Sequence, residues 1–266
     1  MNLSVFAEEW ASLNSRSTEE VKKGWDLGAD NFAAKTNYSD TDGILPFFQK
    51  KNIDIAGMDI LDLGCGPGRH SILMAKNGAA RVTGLDISPK LTEHCRAKAK
   101  EENLSNAEFI TAAWEEFDIN KEGWKGRFDL AFSSISPAIC TAEALNKFTA
   151  ASKKYCYLSS YATRSDNVYE YLLSQLGGTV NESYPYYIFN ILWLQGIRPD
   201  VEYITDASTV ELSLDEACGV YGEKAPRFRK LNAGPAEIMQ CLEKIAVDGR
   251  IKASHLSKRA VFFWEV

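Results

Sequence analysis

A glycine-rich segment between a strand pattern and a helix pattern constrains this chain most strongly. Residues 58–63, four of which are apolar, predict a strand, residues 64–68 include three glycines, and residues 69–76 predict a helix. Glycines at such a junction let a ligand approach the backbone closely, and exposed amides at a helix start favour a polar or anionic group. The segment therefore predicts a ligand site where the strand ends.

An acidic residue stands at the corresponding end of the next predicted strand. Asp86 follows residues 81–85, which predict a strand. Because the carboxyl ends of parallel strands share one edge of a sheet, we expect Asp86 beside the glycine segment, where a carboxylate can accept both hydroxyls of a ribose. Arg69 stands where a dinucleotide-binding G-x-G-x-x-G pattern has its third glycine, so pyrophosphate binding is disfavoured. The pattern predicts a nucleoside site.

Strand and helix patterns alternate through residues 58–159, which predicts right-handed βαβ units and a parallel sheet. Ser17 and Glu20 have the spacing of a capping box, and Trp25 and Phe32 share one face of the helix that follows. We therefore expect an N-terminal helical cap at 1–52 that acts as a lid. The main domain is expected at 53–266, with an aromatic helical and extended elaboration at about 164–250, where the alternation stops.

The segment Asp62-Leu63-Gly64-Cys65-Gly66-Pro67-Gly68 resembles the first motif of the class I S-adenosylmethionine-dependent methyltransferases, a Rossmann-like superfamily. Asp86 matches the ribose-binding acid of that family. The resemblance covers residues 20–163 and the C-terminal strand. It implies an α/β fold: a doubly wound, mostly parallel seven-stranded sheet with helices on both faces and an antiparallel last strand. It also implies S-adenosyl-L-methionine as cofactor and S-adenosyl-L-homocysteine as product.

The same resemblance implies which residues hold the cofactor. Ala113 and Trp114 follow the third predicted strand, where the family packs the adenine, and the alternative for Trp114 is a core position. Ala112 and Ala113 stand where many members carry an acid that contacts the adenine amino group, so that contact comes from the backbone or is absent. The implied cofactor-binding residues are Asp62, Gly64, Cys65, Gly66, Asp86, Ile87, Ala113, Trp114, Ser133 and Ser134.

Methyl transfer from a sulfonium is an in-line displacement in which the protein mainly aligns donor and acceptor. We therefore predict no compulsory catalytic residue, and no Cys/His spacing indicates a metal site. The expected acceptor-binding residues are Tyr38, Ser136, Tyr187 and Trp193. Ser136-Pro137 resembles part of the family's amine-holding loop, with an ordinary turn as the alternative. Tyr187 and Trp193 could wall a small-molecule pocket, or pack on the sheet or on a second subunit.

Composition narrows the classes of partner and location. A net charge of −6 disfavours nucleic acid, because only residues 224–230 and 250–259 form a basic track. Six cysteines without a C-x-x-C pair are typical of reduced thiols in a cytoplasm. The apolar runs are shorter than the roughly 20 residues of a membrane span, and the N-terminus does not resemble a secretory signal.

These observations predict a cytoplasmic methyltransferase that acts on a small molecule. One alternative is an RNA or protein methyltransferase, and another is a catalytically silent cofactor-binding protein. A homodimer through the 164–250 elaboration is a further expectation.

Overall fold

The computed structural model describes residues 2–14, 16–180, 184–223 and 229–266. Its helices are α1 (Leu3–Ser12), α2 (Thr18–Ala34), α3 (Ile44–Lys50), α4 (Arg69–Lys76), α5 (Pro89–Glu101), α6 (Ala142–Ala151), α7 (Asn167–Leu176), α8 (Pro185–Leu194), α9 (Leu214–Cys218) and α10 (Pro235–Ile245). Its strands are β1 (Asp59–Leu63), β2 (Arg81–Asp86), β3 (Ala107–Thr111), β4 (Phe128–Ser134), β5 (Ser152–Asp166), β6 (Gly178–Val180), β7 (Asp200–Ser213), β8 (Arg229–Leu231) and β9 (Arg250–Glu265).

Seven of these strands form one mixed sheet in the order β3-β2-β1-β4-β5-β9-β7. Strands β1 to β5 pair in parallel along this order. Strand β9 runs the other way: the amide of Val266, just after β9, donates to the carbonyl of Lys154 near the start of β5 (2.9 Å). The predicted doubly wound sheet with an antiparallel last strand is confirmed.

The described residues form two compact units. The first comprises Met1–Ser160, Tyr186–Val201 and Val261–Val266, and the second comprises Tyr161–Pro185 and Glu202–Ala260. Helix α8 thus belongs to the first unit, although it lies within the predicted elaboration at 164–250. As a division into domains, the boundaries at 1–52, 53–266 and 164–250 stay predictions.

The core of the first unit follows from the apolar strand residues. Ile60, Leu61 and Leu63 of β1 are fully buried between the neighbouring strands. Parallel strands covered on both faces carry such continuous apolar runs. The carboxyl ends of β1, β2 and β4 therefore meet at one buried edge, which is where the glycine segment lies.

The second unit has its own core, in which α7, α9 and α10 pack together. Asp166 organises one end of it: its Oδ1 accepts the amides of Val168 and Tyr169 at the start of α7 (3.0 and 2.9 Å). The Tyr221 hydroxyl and His255 Nδ1 contact the same carboxylate at 3.1 and 3.0 Å. This buried carboxylate is satisfied by several donors, as a structural role requires.

Helix α2 begins with the predicted capping box: Ser17 Oγ accepts the Glu20 amide (3.3 Å), and Glu20 Oε2 accepts the Ser17 amide (2.8 Å). We expect Ser17→Ala to lower the free energy of unfolding by about 1 kcal/mol, because the Glu20 amide in the first turn of the helix loses its acceptor, Ser17 Oγ. Urea denaturation measures the change. Ser12→Ala is the control, since that hydroxyl only donates to Glu9 within α1. Equal losses in both variants would contradict the prediction.

Candidate functional site

The glycine segment forms a tight turn from β1 into α4. The amides of Gly64 and Cys65 both donate to the carbonyl of Leu85 in β2, at 2.7 and 3.2 Å. Gly64 has a φ of +70°, and a Cβ atom there would lie 1.8 Å from Ser136 Oγ. Glycine is therefore required at position 64 both by the backbone conformation and by the close approach of Ser136.

Asp86 lies directly against this turn, as the sequence predicts. The Gly66 amide donates to Asp86 Oδ2 and the Ser88 amide donates to Asp86 Oδ1, both at 2.9 Å. The side chain is 7% exposed. Burial raises the pKa of Asp86 to about 6, against the lowering effect of these two amides, and Asp62 and Asp26 raise it further. A perturbed carboxylate beside a glycine turn is typical of a ligand site.

Asp62 and Ser133 form hydrogen bonds next to the turn. Ser71 in α4 donates its hydroxyl to Asp62 Oδ2, and Ser133 donates its hydroxyl to the carbonyl of Leu63. Both side chains are buried, and burial raises the pKa of Asp62. Asp62 therefore links β1 to α4, and Ser133 links β4 to β1, just before the glycine turn.

Cys65 contributes its backbone to the turn and its side chain to the core. The thiol is buried in a cluster with Ile72, Cys95 and Phe109. A hydrogen bond with the Cys95 thiol, together with burial, raises the pKa of Cys65 well above its ordinary value. A thiol in this state is a poor nucleophile, so Cys65 is a small turn residue.

The loop after β4 covers the first glycine. Ser134 lies within hydrogen-bond distance of the Ser159 hydroxyl (3.0 Å), and Ile135 has a φ of +54°. A β-branched residue rarely adopts this left-handed conformation, and strain of this kind is concentrated at functional sites. The loop thereby brings Ser136 onto Gly64. Ser134 is predicted to contact the cofactor and Ser136 the acceptor. Ser134 ends β4, and Ser136 follows it two residues later in the loop beside the glycine turn.

The N-terminal region reaches the turn from α2 and the loop that follows it. A Cβ atom on Gly66 would lie 3.3 Å from Cε1 of Phe32. Tyr38 donates its hydroxyl to the carbonyl of Pro67 (3.0 Å), and Asp42 forms an ion pair with Arg69 (3.0 Å). These contacts place the predicted lid against the glycine turn. The Tyr38 hydroxyl is bound to the turn itself.

We expect Tyr38→Phe to destabilise the protein by about 1 kcal/mol, because the buried carbonyl of Pro67 loses the hydroxyl donor while the ring still packs. Burial raises the pKa of this tyrosine, in agreement with a hydroxyl that serves as a neutral donor. Thermal unfolding followed by circular dichroism measures the loss. Tyr203→Phe is the control, since that side chain is 58% exposed. A Tyr38→Phe midpoint equal to that of Tyr203→Phe would contradict the assignment.

The residues predicted for the adenine separate into two groups. Ile87 follows Asp86 and is half-buried, and the Ala112 amide donates to the carbonyl of Asp86 (2.9 Å), which holds Ala113 near the end of β2. Trp114 is 1% exposed, and its indole Nε1 donates to the carbonyl of Ala144 in α6 (3.1 Å). A side chain enclosed in this way has no free face for an adenine. The structure therefore favours the core alternative for Trp114.

Two predicted acceptor residues lie on α8, where the contacts recorded for them are with other parts of the first unit. Tyr187 stacks on Trp10 of α1, with ring centroids 6.0 Å apart. Trp193 is 48% exposed, stacks on Phe189, and carries the Arg198 guanidinium 3.8 Å from its ring centre. The role of Tyr187 and Trp193 in acceptor binding stays a prediction.

Within the described ranges, no group of three or more His, Cys, Asp or Glu side chains is arranged to hold a metal ion. Helices long and apolar enough to traverse a bilayer are likewise absent from the part of the chain that the structure describes.

Comparison with known proteins identifies a domain. Residues 54–183, a little under half of the chain, match the family model described as a methyltransferase domain. This stretch of the chain is a methyltransferase domain of the class I Rossmann-like fold. Its matched range contains both the glycine turn and Asp86.

Curated relatives match this chain over short stretches. The ribosomal protein L11 methyltransferase of Thermosipho africanus is 35% identical over 100 residues, which cover 38% of this chain and 35% of that protein. The 7SK snRNA methylphosphate capping enzyme of Mus musculus is 38% identical over 87 residues, which cover 32% of this chain and 13% of that protein. The chain thus spans about a third or less of the length of these two relatives.

A solved structure shows the same fold. Magnesium protoporphyrin IX methyltransferase from Synechocystis PCC 6803, crystallised with S-adenosylhomocysteine, superposes with a TM-score of 0.54 at 16% identity. The match covers 91% of this chain and 98% of that one. The methyltransferase domain therefore shares its architecture with that enzyme.

Asp26 of α2 is a polar residue near the site that no sequence motif indicates. Ser88, the N-cap of α5, donates its hydroxyl to Asp26. Asp26 precedes Asp86 by sixty positions and belongs to no motif of the methyltransferase domain. The sequence signal nearest to Asp26 is the helical face shared by Trp25 and Phe32.

Proposed function

We propose that this protein transfers a methyl group from S-adenosyl-L-methionine to a small-molecule acceptor, releasing S-adenosyl-L-homocysteine. The observation that carries the proposal is the hydrogen bond from the Gly66 amide to Asp86 Oδ2. It joins a glycine turn and a buried carboxylate at the carboxyl ends of β1 and β2, where ligands bind in open α/β sheets.

The residues present fit this cofactor. Each oxygen of Asp86 accepts one backbone amide. An ionised carboxylate oxygen has capacity for a further donor, so Asp86 can accept the two ribose hydroxyls. Ile87 and Ala113 would flank the adenine, and the backbone of Gly64 and Gly66 would face the amino-acid end.

The cofactor supplies a methyl group that is already activated for displacement. The task left to the chain is to bind and align, which by itself lowers a bimolecular barrier substantially. Ser136, in the loop after β4, lies against Gly64, and this loop would position the acceptor. The proposal assigns no residue as a compulsory acid or base.

Two features support a small molecule as the acceptor. The chain has a net charge of −6, which repels a nucleic-acid backbone. The loop that would position the acceptor is short and lies close to the turn. A protein or RNA acceptor is the second candidate. Two relatives that match part of this chain are named for such acceptors: a ribosomal protein methyltransferase and an snRNA capping enzyme. Of the basic track at 224–230, residues 224–228 lie outside the described residues.

The test has two stages. Calorimetry with S-adenosylmethionine should show binding to the wild-type protein, and the absence of binding would refute the proposal. Release of S-adenosylhomocysteine is then screened with amine, thiol and hydroxyl acceptors. Turnover with a small acceptor supports the proposal, whereas steep salt-dependent RNA retention with RNA-stimulated turnover would favour the second candidate. Binding without turnover on any acceptor would indicate a catalytically silent protein.

Location and assembly belong to the same proposal. All six cysteines are free thiols and five of them are buried, which supports a reducing, cytoplasmic environment. A homodimer through residues 164–250 stays a prediction, which light scattering of the purified protein would check.

A further inference from the structure

Asp26 of α2 joins the hydrogen-bond cluster around Asp86. Ser88 connects the two carboxylates: its amide donates to Asp86 Oδ1, and its hydroxyl donates to Asp26 Oδ1. Asp26 is half-buried and close enough to raise the pKa of Asp86. A single residue at the start of α5 therefore holds both acids at the end of β2.

Helix α2 spans the candidate cofactor site. Asp26 contacts Ser88 at the end of β2, while Phe32 lies on Gly66 in the turn after β1. Six residues of α-helix advance about 9 Å, which is the scale of a nucleoside. Ala29, between them, is fully buried. The side of α2 that carries Asp26, Ala29 and Phe32 thus faces the two strand ends that would hold the ribose.

Docking of the helix alone does not require a charge at position 26. Ser88 already caps α5 by accepting the Leu91 amide, so its hydroxyl can find a neutral partner or water. A second carboxylate beside the buried Asp86 is unfavourable, because like charges disfavour each other's ionised form. Such a cost is expected where a ligand offsets it.

We propose that Asp26 is a second carboxylate of the ribose site, delivered by α2, which accepts one cofactor hydroxyl next to Asp86. A carboxylate is an acceptor only, so its ligand group must be a donor, and a ribose diol offers two hydroxyl donors side by side. Asp86 already receives two backbone amides. With Asp26 beside it, Asp86 accepts one ribose hydroxyl and Asp26 accepts the other. Cofactor binding then also fixes α2 in place. The inference rests on the proposed cofactor.

The experiment compares Asp26→Asn with Asp30→Asn by calorimetry. Asp30 is the matched control, because it lies one turn further along α2, is 77% exposed and pairs with His94. The ligands are S-adenosylhomocysteine and methylthioadenosine, which keeps the ribose and adenine but not the amino-acid end. We expect Asp26→Asn to lower the affinity for both ligands at least tenfold. Asp30→Asn should change each affinity less than twofold.

Each outcome decides between explanations. Wild-type protein that binds neither ligand refutes the proposed function itself. Wild-type binding with an Asp26→Asn change below twofold overturns the role of Asp26. A loss confined to S-adenosylhomocysteine overturns the ribose assignment, since the nucleoside is common to both ligands. If Asp26→Asn lowers the melting temperature of the free protein, Asp26→Glu must recover binding to within threefold for the inference to stand.

Discussion

Gly64→Ala is expected to abolish binding of S-adenosylhomocysteine and to lower the free energy of unfolding by about 2–5 kcal/mol. The left-handed backbone, with a φ of +70°, costs an alanine roughly 1–2 kcal/mol. The new Cβ would also lie 1.8 Å from Ser136 Oγ and 2.5 Å from Ser136 Cβ, so the Ser136 loop must move at a further cost of about 1–3 kcal/mol. Because that loop and the turn would both contact the cofactor, binding should be lost with stability.

Two further variants separate the conformational from the steric part of this effect. Gly57 has a φ of +74° with nothing within 4 Å of its Cβ position, so Gly57→Ala should cost only the conformational part and leave ligand affinity unchanged. Adding Ser136→Gly to Gly64→Ala removes the atoms that clash and should recover part of the stability. Urea denaturation and calorimetry measure both quantities. Equal effects of Gly57→Ala and Gly64→Ala would show that the contact with Ser136 is unimportant.

The elements with local signals could be predicted from the sequence. Ser17 and Glu20 lie three residues apart, and their reciprocal hydrogen bonds form within one helical turn. The strand–glycine–helix succession at 58–76 is likewise local, and the parallel alignment of strands then fixes Asp86 beside Gly66. This part of the site was predictable because chain order and sheet topology together determine it.

Features that depend on tertiary contacts were not predictable. The alternation of strand and helix patterns ends at residue 159, whereas β5 extends to Asp166 and β9 covers Arg250–Glu265. Strands β5 and β9 are neighbours in the sheet, so hydrogen bonding between strands supports them, while residues 160–166 and 250–259 lack a continuous apolar run that would predict a strand. Trp114 shows a second limit, since an aromatic after a strand looks the same in sequence whether it faces a ligand or, as here, α6.

Asp86→Asn is expected to lower the affinity for S-adenosylhomocysteine about 100-fold without destabilising the protein at pH 7. An ionised carboxylate makes hydrogen bonds of about 1.5–3 kcal/mol each with hydroxyl donors, and the amide replaces one of its two acceptor oxygens with a donor. The loss of roughly 3 kcal/mol corresponds to that factor in affinity. Stability should not fall in parallel, because the substitution also removes a charge that is buried at a cost.

The pH dependence of the unfolding free energy shows whether the buried charge of Asp86 stabilises or destabilises the folded protein. The pKa of Asp86 is raised from 3.8 to about 6, so between these values the folded state binds a proton that the unfolded state does not. Stability from this group is therefore fully present below pH 3.8 and is lost as the pH rises through 6. The shift corresponds to roughly 3 kcal/mol. The difference in unfolding free energy between wild type and Asp86→Asn should fall by about that amount from pH 4 to pH 7.

Affinity should change in the opposite direction with pH, and this contrast makes the prediction specific. Wild-type affinity for S-adenosylhomocysteine should decline as the pH falls below about 6, because protonation replaces an acceptor site of the carboxylate with a donor. Asp86→Asn should be weak and nearly independent of pH over the same range, while Asp30→Asn should follow the wild type. Calorimetry from pH 5 to 8 checks both curves. A wild-type affinity that is constant across pH 6 would mean that the charge of Asp86 does not bind the ligand, and the buried carboxylate would then be a structural residue of the turn.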